Sequence, residues 1–182
     1  SISAGPGIAQ GRDLLGEDYA VISVIGDGAL TGGMAYEALN NAAHLIKNFI
    51  IILNDNNMSI SENVGGMSKY LSSLRSGAGY NELKRRVSET LLKIPVVGAG
   101  LVEKISRTKD SIKQLVIPGM LFENMGVTYL GPVDGHDIKA MVKTLKEARR
   151  MDHAVLVHVL TKKGKGYAPA EKNPSRFHGI DP

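Results

Sequence analysis

The sequence has no cysteine, no tryptophan, three Phe and six Tyr in 182 residues. The lack of cysteine excludes disulfides, thiolate metal sites and a cysteine nucleophile, and it is compatible with a reducing compartment, with the cytoplasm as the default expectation. No run of about 18 apolar residues is present to span a bilayer, and the first residues lack the charged-then-apolar order of a secretion signal. These features predict a soluble protein with no membrane partner. The formal net charge of +4 raises the question of nucleic acid. However, ten Lys/Arg against four Asp/Glu lie between Lys69 and Lys113, which leaves −2 for the rest of the chain. Tyr80 sits among those cations without the series of aromatics on which a single-strand binder stacks its bases. A solvated helical face is the better reading, and no nucleic-acid partner is expected. With 43% hydrophobic residues, a chain of this length buries a full core as one domain, or as one domain with an insertion.

The chain begins at Ser1 rather than methionine and runs directly into helix-like sequence ending near Gly16. It is expected to be a fragment of something longer. Tyr19 to Ile25 is a short apolar, β-branched run followed by glycines, read as a strand buried on both faces. Thr31 to Ile46 reads as a helix, and Phe49 to Leu53 as a second buried strand that ends abruptly in Asn54-Asp55-Asn56-Asn57, a turn-forming cluster. A second βαβ unit follows: Val127 to Leu130, then Gly131-Pro132-Val133-Asp134-Gly135-His136, a helix from Asp137 to Arg150, and a strand from Ala154 to Leu160. Asp137 suits the helix N-cap, and Arg149-Arg150 suit its negative end. The predicted fold class is α/β, a parallel sheet with helices on both faces, whose ligands sit at the carboxyl ends of the strands. Residues 65–124 read as a helical insertion, with patterns at Tyr80 to Lys93, Leu101 to Ser106 and Ser111 to Asn124, either a lid or an inert decoration.

Gly26-Asp27-Gly28 directly follows the first strand, and Thr31-Gly32-Gly33 opens the next helix. Glycine lets backbone approach a phosphate, and a helix N-terminus offers unpaired N–H groups. The spacing is one residue longer than the dinucleotide fingerprint. Adjacent parallel strands would bring Asp27 and Asn56 to one edge. One carboxylate, one amide oxygen, a carbonyl such as that of Met58 and two diphosphate oxygens make a sensible set for Mg²⁺, which wants near-octahedral oxygen coordination. Each cluster alone is better read as a turn; the pair at this spacing favours a metal-diphosphate site. Thr161-Lys162-Lys163-Gly164-Lys165-Gly166-Tyr167 also leaves a strand's carboxyl end, where a lysine offsets diphosphate charge; the alternative is a basic linker. His178, in Phe177-His178-Gly179, is either a surface residue or an acid, base or hydrogen-bond donor delivered to this edge. Two rivals stay open at this point: a dinucleotide-dependent dehydrogenase using Asp55 as its ribose-binding acid, and a non-catalytic magnesium-binding regulatory domain.

The Gly26-Asp27-Gly28 to Asn54-Asp55-Asn56 spacing resembles the signature of thiamine diphosphate enzymes. The longer strings Gly26 to Ala38, Leu53 to Ser61, Gly131 to Asp137 and Thr161 to Tyr167 resemble one transketolase-like family within that group, the 1-deoxy-D-xylulose-5-phosphate synthases, over essentially the whole chain. The resemblance implies that the cofactors are thiamine diphosphate and Mg²⁺. Asp27, Asn56 and the Met58 carbonyl would ligate the metal, Gly28 and Ala29 would offer backbone to the diphosphate, and Ile60 would wedge between the cofactor rings. Lys163, Tyr167 and His178 would complete this side of the pocket, with His178 as the catalytic candidate. The implied reaction condenses pyruvate with glyceraldehyde 3-phosphate and releases CO₂, feeding isoprenoid, thiamine and pyridoxal synthesis. A homodimer is expected. The glutamate that activates the aminopyrimidine belongs to a following domain, so the expectation for these 182 residues alone is an inactive half-site.

Overall fold

The computed structural model describes residues 1–45, 47–58, 64–75 and 119–179. Helix α1 (Ala4–Leu15) ends at Gly16, whose left-handed φ of 69° directs its N–H back to the Arg12 and Asp13 carbonyls. Strand β1 (Ile22–Gly26) is followed by a 3₁₀ turn (Ala29–Thr31), helix α2 (Gly33–Ala42) and strand β2 (Phe49–Asp55). Helices α3 (Gly66–Arg75) and α4 (Met120–Asn124) precede strand β3 (Thr128–Asp134), helix α5 (Ile138–Arg149), strand β4 (Ala154–Leu160) and helix α6 (Ala168–Lys172).

The strands form one parallel sheet in the order β1-β2-β4-β3, so all four carboxyl ends lie along a single edge. Alternation within the two central strands divides the core. Phe49, Ile51, Leu53 and Leu156 pack on one face with Ala9, Leu30, Leu39, Leu71 and Phe122. Ile50, Val155, Val157 and Val159 pack on the other against Met141 and Leu145 of α5. Each fully buried aliphatic side chain contributes roughly 2 kcal/mol by leaving water. The α/β class with helices on both faces is therefore as the sequence predicts.

Several boundaries move for identifiable reasons. Strand β1 starts at Ile22 and is an edge strand in the described sheet with Ile22 and Val24 exposed; it is not buried on both faces, because the described core on the α5 side covers β2, β4 and β3 and takes in no β1 residue. The helix expected from Thr31 starts after Gly32, since the Thr31 hydroxyl turns back to the Gly28 carbonyl (2.7 Å) and holds that residue in the 3₁₀ turn. Strand β3 continues through Gly131 and Pro132 to Asp134 where a loop was expected. Its register against β4 shifts between Leu130 and Val133, and a bulge on an edge strand accommodates a residue with no N–H to donate. Asp137 caps α5 as expected, accepting from the Lys139 and Ala140 amides.

Within 65–124, the described residues form α3 and α4. Helix α3 buries Leu71 and Leu74 in the core, so this part of the segment is packed and not decorative. The helices expected at Tyr80 to Lys93, Leu101 to Ser106 and the first residues from Ser111 lie outside the described residues, as does Ile60.

Candidate functional site

Parallel pairing of β1 with β2 sets Gly26 opposite Asn54, and the Asp27 amide then donates to the Asn54 carbonyl (3.2 Å). Each strand releases an aspartate at the same level. Asp27 and Asp55 are 2% and 1% exposed, two carboxyl groups taken out of water side by side. The Arg75 guanidinium, from the last residue of α3, reaches over them. Its Nη1 contacts Asp55 Oδ1 and lies 3.8 Å from Asp27 Oδ2, and its Nη2 donates to Asn57 Oδ1 (2.6 Å).

The two carboxyl groups are driven apart electrostatically. Burial, followed by the hydrogen bond and charge of Asp55, pushes Asp27 up to about 6. Burial acts on Asp55 in the same direction, but His158, the Asn57 amide, Asp27 and Arg75 outweigh it, and Asp55 is held below the usual carboxylate range. The pair behaves as one readily ionised group beside one reluctant to ionise without a cation. Asp55 is also fully engaged: Oδ1 accepts from Asn57 N–H (3.0 Å) and from Arg75, while Oδ2 accepts from His158 Nε2 (2.9 Å). It is not available to a ribose, which removes the ground for the dinucleotide reading.

Beyond β2 the chain turns sharply. Asn57 adopts a left-handed φ of 62°, and the Met58 amide donates to Asn56 Oδ1 (3.0 Å), an Asx turn of the kind asparagine favours. Asn54 Oδ1 accepts from the Thr161 hydroxyl (2.7 Å), and the Thr161 amide donates to the Asp55 carbonyl (2.9 Å), so the exit of β4 is tied to the exit of β2. The chain then runs through the lysine-glycine segment. There Lys162 pairs with Glu171, and Lys163 Nζ donates to His178 Nδ1 (2.7 Å). The rings of Tyr167 and Phe177 meet edge to face, 5.7 Å apart. The structure thus brings Asp27, Gly28, Ala29, Asn56 and Met58 to the ends of β1 and β2, and groups Lys163 with His178 and Tyr167 with Phe177 at the end of β4.

Among the described residues no cluster of three or more His, Cys, Asp or Glu side chains exists to hold a metal. The donors at this edge are hard oxygens, one buried carboxylate with amide and carbonyl groups nearby. That set suits a magnesium ion completed by phosphate oxygens, and it does not suit a zinc-type ion. The Arg75 guanidinium already sets one positive charge against Asp55 and, at 3.8 Å, beside Asp27. Sequence reasoning missed three residues of this network: Arg75, Tyr129 and His158. The one local signal was a histidine inside the apolar run Ala154 to Leu160, where a buried polar group must find a partner.

The family model described as 1-deoxy-D-xylulose-5-phosphate synthase matches residues 1–161. The chain belongs to the 1-deoxy-D-xylulose-5-phosphate synthase family. It is 57% identical over 182 residues to the 1-deoxy-D-xylulose-5-phosphate synthase of Lachnoclostridium phytofermentans, covering 100% of this chain and 29% of that protein. It is 58% identical over 182 residues to the synthase of Desulforudis audaxviator, again covering 29% of the relative. The chain therefore spans less than a third of the synthases it matches. Among solved structures, transketolase from Campylobacter jejuni aligns over 90% of this chain and 20% of its own, with a TM-score of 0.54 at 23% identity, a likeness of fold.

Proposed function

We propose that this chain is the diphosphate- and magnesium-holding domain of a synthase that condenses pyruvate with glyceraldehyde 3-phosphate, with loss of CO₂, using thiamine diphosphate and Mg²⁺. The product would feed isoprenoid, thiamine and pyridoxal synthesis. The remaining domains of the enzyme, in a cytoplasmic homodimer, would supply the other half of the cofactor site. The observation that carries this reading is that Asp27, in a Gly-Asp-Gly turn, and the Asn56–Met58 turn leave the carboxyl ends of two adjacent parallel strands whose register sets Gly26 opposite Asn54.

In this reading Asp27, Asn56 and the Met58 carbonyl hold the magnesium. The raised pKa of Asp27, about 6, reflects a group placed where burial and a neighbouring carboxylate demand a cation in exchange. Gly28 and Ala29 would offer backbone to the diphosphate at the mouth of the 3₁₀ turn, and Ile60, outside the described residues, would contribute an apolar side chain to the cofactor. When bound, thiamine diphosphate supplies the carbanion chemistry; the protein supplies position and electrostatics. At the end of β4, the Lys163 ammonium donates to His178 Nδ1, which leaves the ring proton on Nε2. A proton held there suits donation to a carbonyl or anionic oxygen, with Lys163 adding positive charge and Tyr167 walling the pocket. No turnover is expected from residues 1–182 alone, because they span 29% of the synthases they match and the acid that activates the aminopyrimidine would come from the remaining part of such an enzyme.

The test is calorimetric titration of the full-length enzyme with thiamine diphosphate in the presence of Mg²⁺. Asp27→Ala should abolish metal-dependent binding, and Asn56→Ala should weaken it less. Unchanged affinity in Asp27→Ala would reject the site.

A further inference from the structure

His158 lies at the middle of the most buried strand, is completely inaccessible, and has a polar partner on each ring nitrogen. Nε2 is 2.9 Å from Asp55 Oδ2, and Nδ1 is 2.7 Å from the Tyr129 hydroxyl. An ionised carboxylate only accepts, so the Asp55 contact places a proton on Nε2, and the Tyr129 hydroxyl then donates to Nδ1. A three-residue chain, Tyr129 to His158 to Asp55, therefore crosses from the edge strand β3 through β4 to the end of β2.

Both ends of the chain are anchored. The Tyr129 ring lies parallel to that of the fully buried Phe122, with centroids 5.9 Å apart and 4° between planes, and it meets the His158 ring edge-on at 5.8 Å. Gly131 makes room for this seat. A Cβ there would stand 2.6 Å from the His158 carbonyl oxygen and 3.2 Å from the His158 Cβ. At the far end, Asp55 uses its other oxygen to hold the Asn57 amide, the hydrogen bond that accompanies the left-handed turn between Asn56 and Met58.

We infer that His158, fixed by Tyr129, is a positioning residue for the metal: it pins the Asp55 carboxylate so that Asp55 shapes the Asn56–Met58 turn. This rests on the site proposed above. Without the imidazole donor, Asp55 loses the bond on Oδ2 and can swing toward Asp27, and the turn loses its rigid reference. Partners that orient metal-binding groups in this way typically change metal affinity by about 10- to 100-fold when removed.

The experiment measures Mg²⁺ affinity of the full-length enzyme by calorimetry at saturating thiamine diphosphate, beside hydrogen exchange of the peptide containing residues 54–58. His158→Leu should weaken Mg²⁺ binding by about 10- to 100-fold and speed exchange in that peptide. His158→Gln, whose amide can still donate to Asp55, should recover most of the loss. Tyr129→Phe frees the ring without opening a cavity and should weaken binding by several-fold; if His158→Leu does not fold, this variant decides alone. Wild-type Mg²⁺ affinity in folded His158→Leu, or in Tyr129→Phe, would overturn the inference by showing that the histidine only packs. Absence of magnesium-dependent binding in the unsubstituted enzyme would instead reject the site itself, and this role with it.

Discussion

The two ends of the sheet both bury polar side chains, and they use them in opposite ways. At the amino end, Arg12 Nη1 donates to the carbonyls of Tyr19 (3.0 Å) and Asn48 (2.9 Å), and the Asn48 amide donates to those of Ala148 (2.8 Å) and Met151 (2.9 Å). All four contacts tie a side chain to backbone, joining the starts of β1, β2 and β4. At the carboxyl end, Asp27, Asp55, Arg75 and His158 converge on one another, and one carboxyl is pushed up to about 6. A buried polar group that satisfies backbone is a fastener. A set of buried charges facing each other retains unspent electrostatic demand, which a ligand can meet.

The largest expected effect separates the ends outright. Asp27→Asn in the full-length enzyme should lose metal-dependent cofactor binding while the metal-free protein becomes more stable at pH 8. The sign follows from linkage. A carboxyl whose folded pKa lies above its ordinary value stabilises the fold when protonated, and that stability is lost as pH rises through about 6. The metal-free unsubstituted protein should therefore lose hydrogen-exchange protection in the sheet as pH rises from about 4, near the ordinary value of 3.8, through about 6, with little further change above that. Asp27→Asn should flatten this slope, and so should Mg²⁺ with thiamine diphosphate. A slope identical in both proteins would show that the two carboxyl groups carry no such demand.

Arg12→Met should do the reverse. It removes a charged donor from two partly buried carbonyls, and the cost is about 2 kcal/mol of sheet stability, read as faster exchange at the starts of β1 and β2. Cofactor affinity in the fraction that remains folded should not change. A loss of affinity comparable to that of Asp27→Asn would erase the distinction between the ends.

What was legible in the sequence follows the same division. The β-branched runs announced β2 and β4, and the Gly-Asp-Gly and Asn-Asp-Asn turns announced the carboxyl edge, because strands and turns are written in neighbouring residues. Which strand lies at the edge is not written locally, so the exposure of Ile22 and Val24 was misjudged. Pro132 looked like a loop residue because the bulge that accommodates it depends on pairing with β4. Arg75 and His158 meet Asp55 across 20 and 103 residues, separations that leave no pattern to read. The site's ligand candidates were visible; the partners that orient them were not.

The smallest expected effect tests whether lying at the carboxyl edge is itself enough to matter. Asp137 follows β3 at that edge and carries a carboxylate, like Asp27, but its Oδ1 accepts from the Lys139 and Ala140 amides (2.9 and 3.0 Å) and so serves as the N-cap of α5. By the criterion drawn from the two ends it is a fastener, since its bonds go to backbone and its position is exposed. Asp137→Ala should therefore cost about 1 kcal/mol, the usual worth of an N-cap, confined to exchange in the first turns of α5. Mg²⁺ and thiamine diphosphate affinities should match those of the unsubstituted enzyme, and Asp137→Asn, which still caps, should restore stability. If Asp137→Ala instead weakened the cofactor as His158→Leu is expected to, position along the edge would count for more than convergence of buried charge, and the contrast between fastener and site would have to be redrawn around the whole edge.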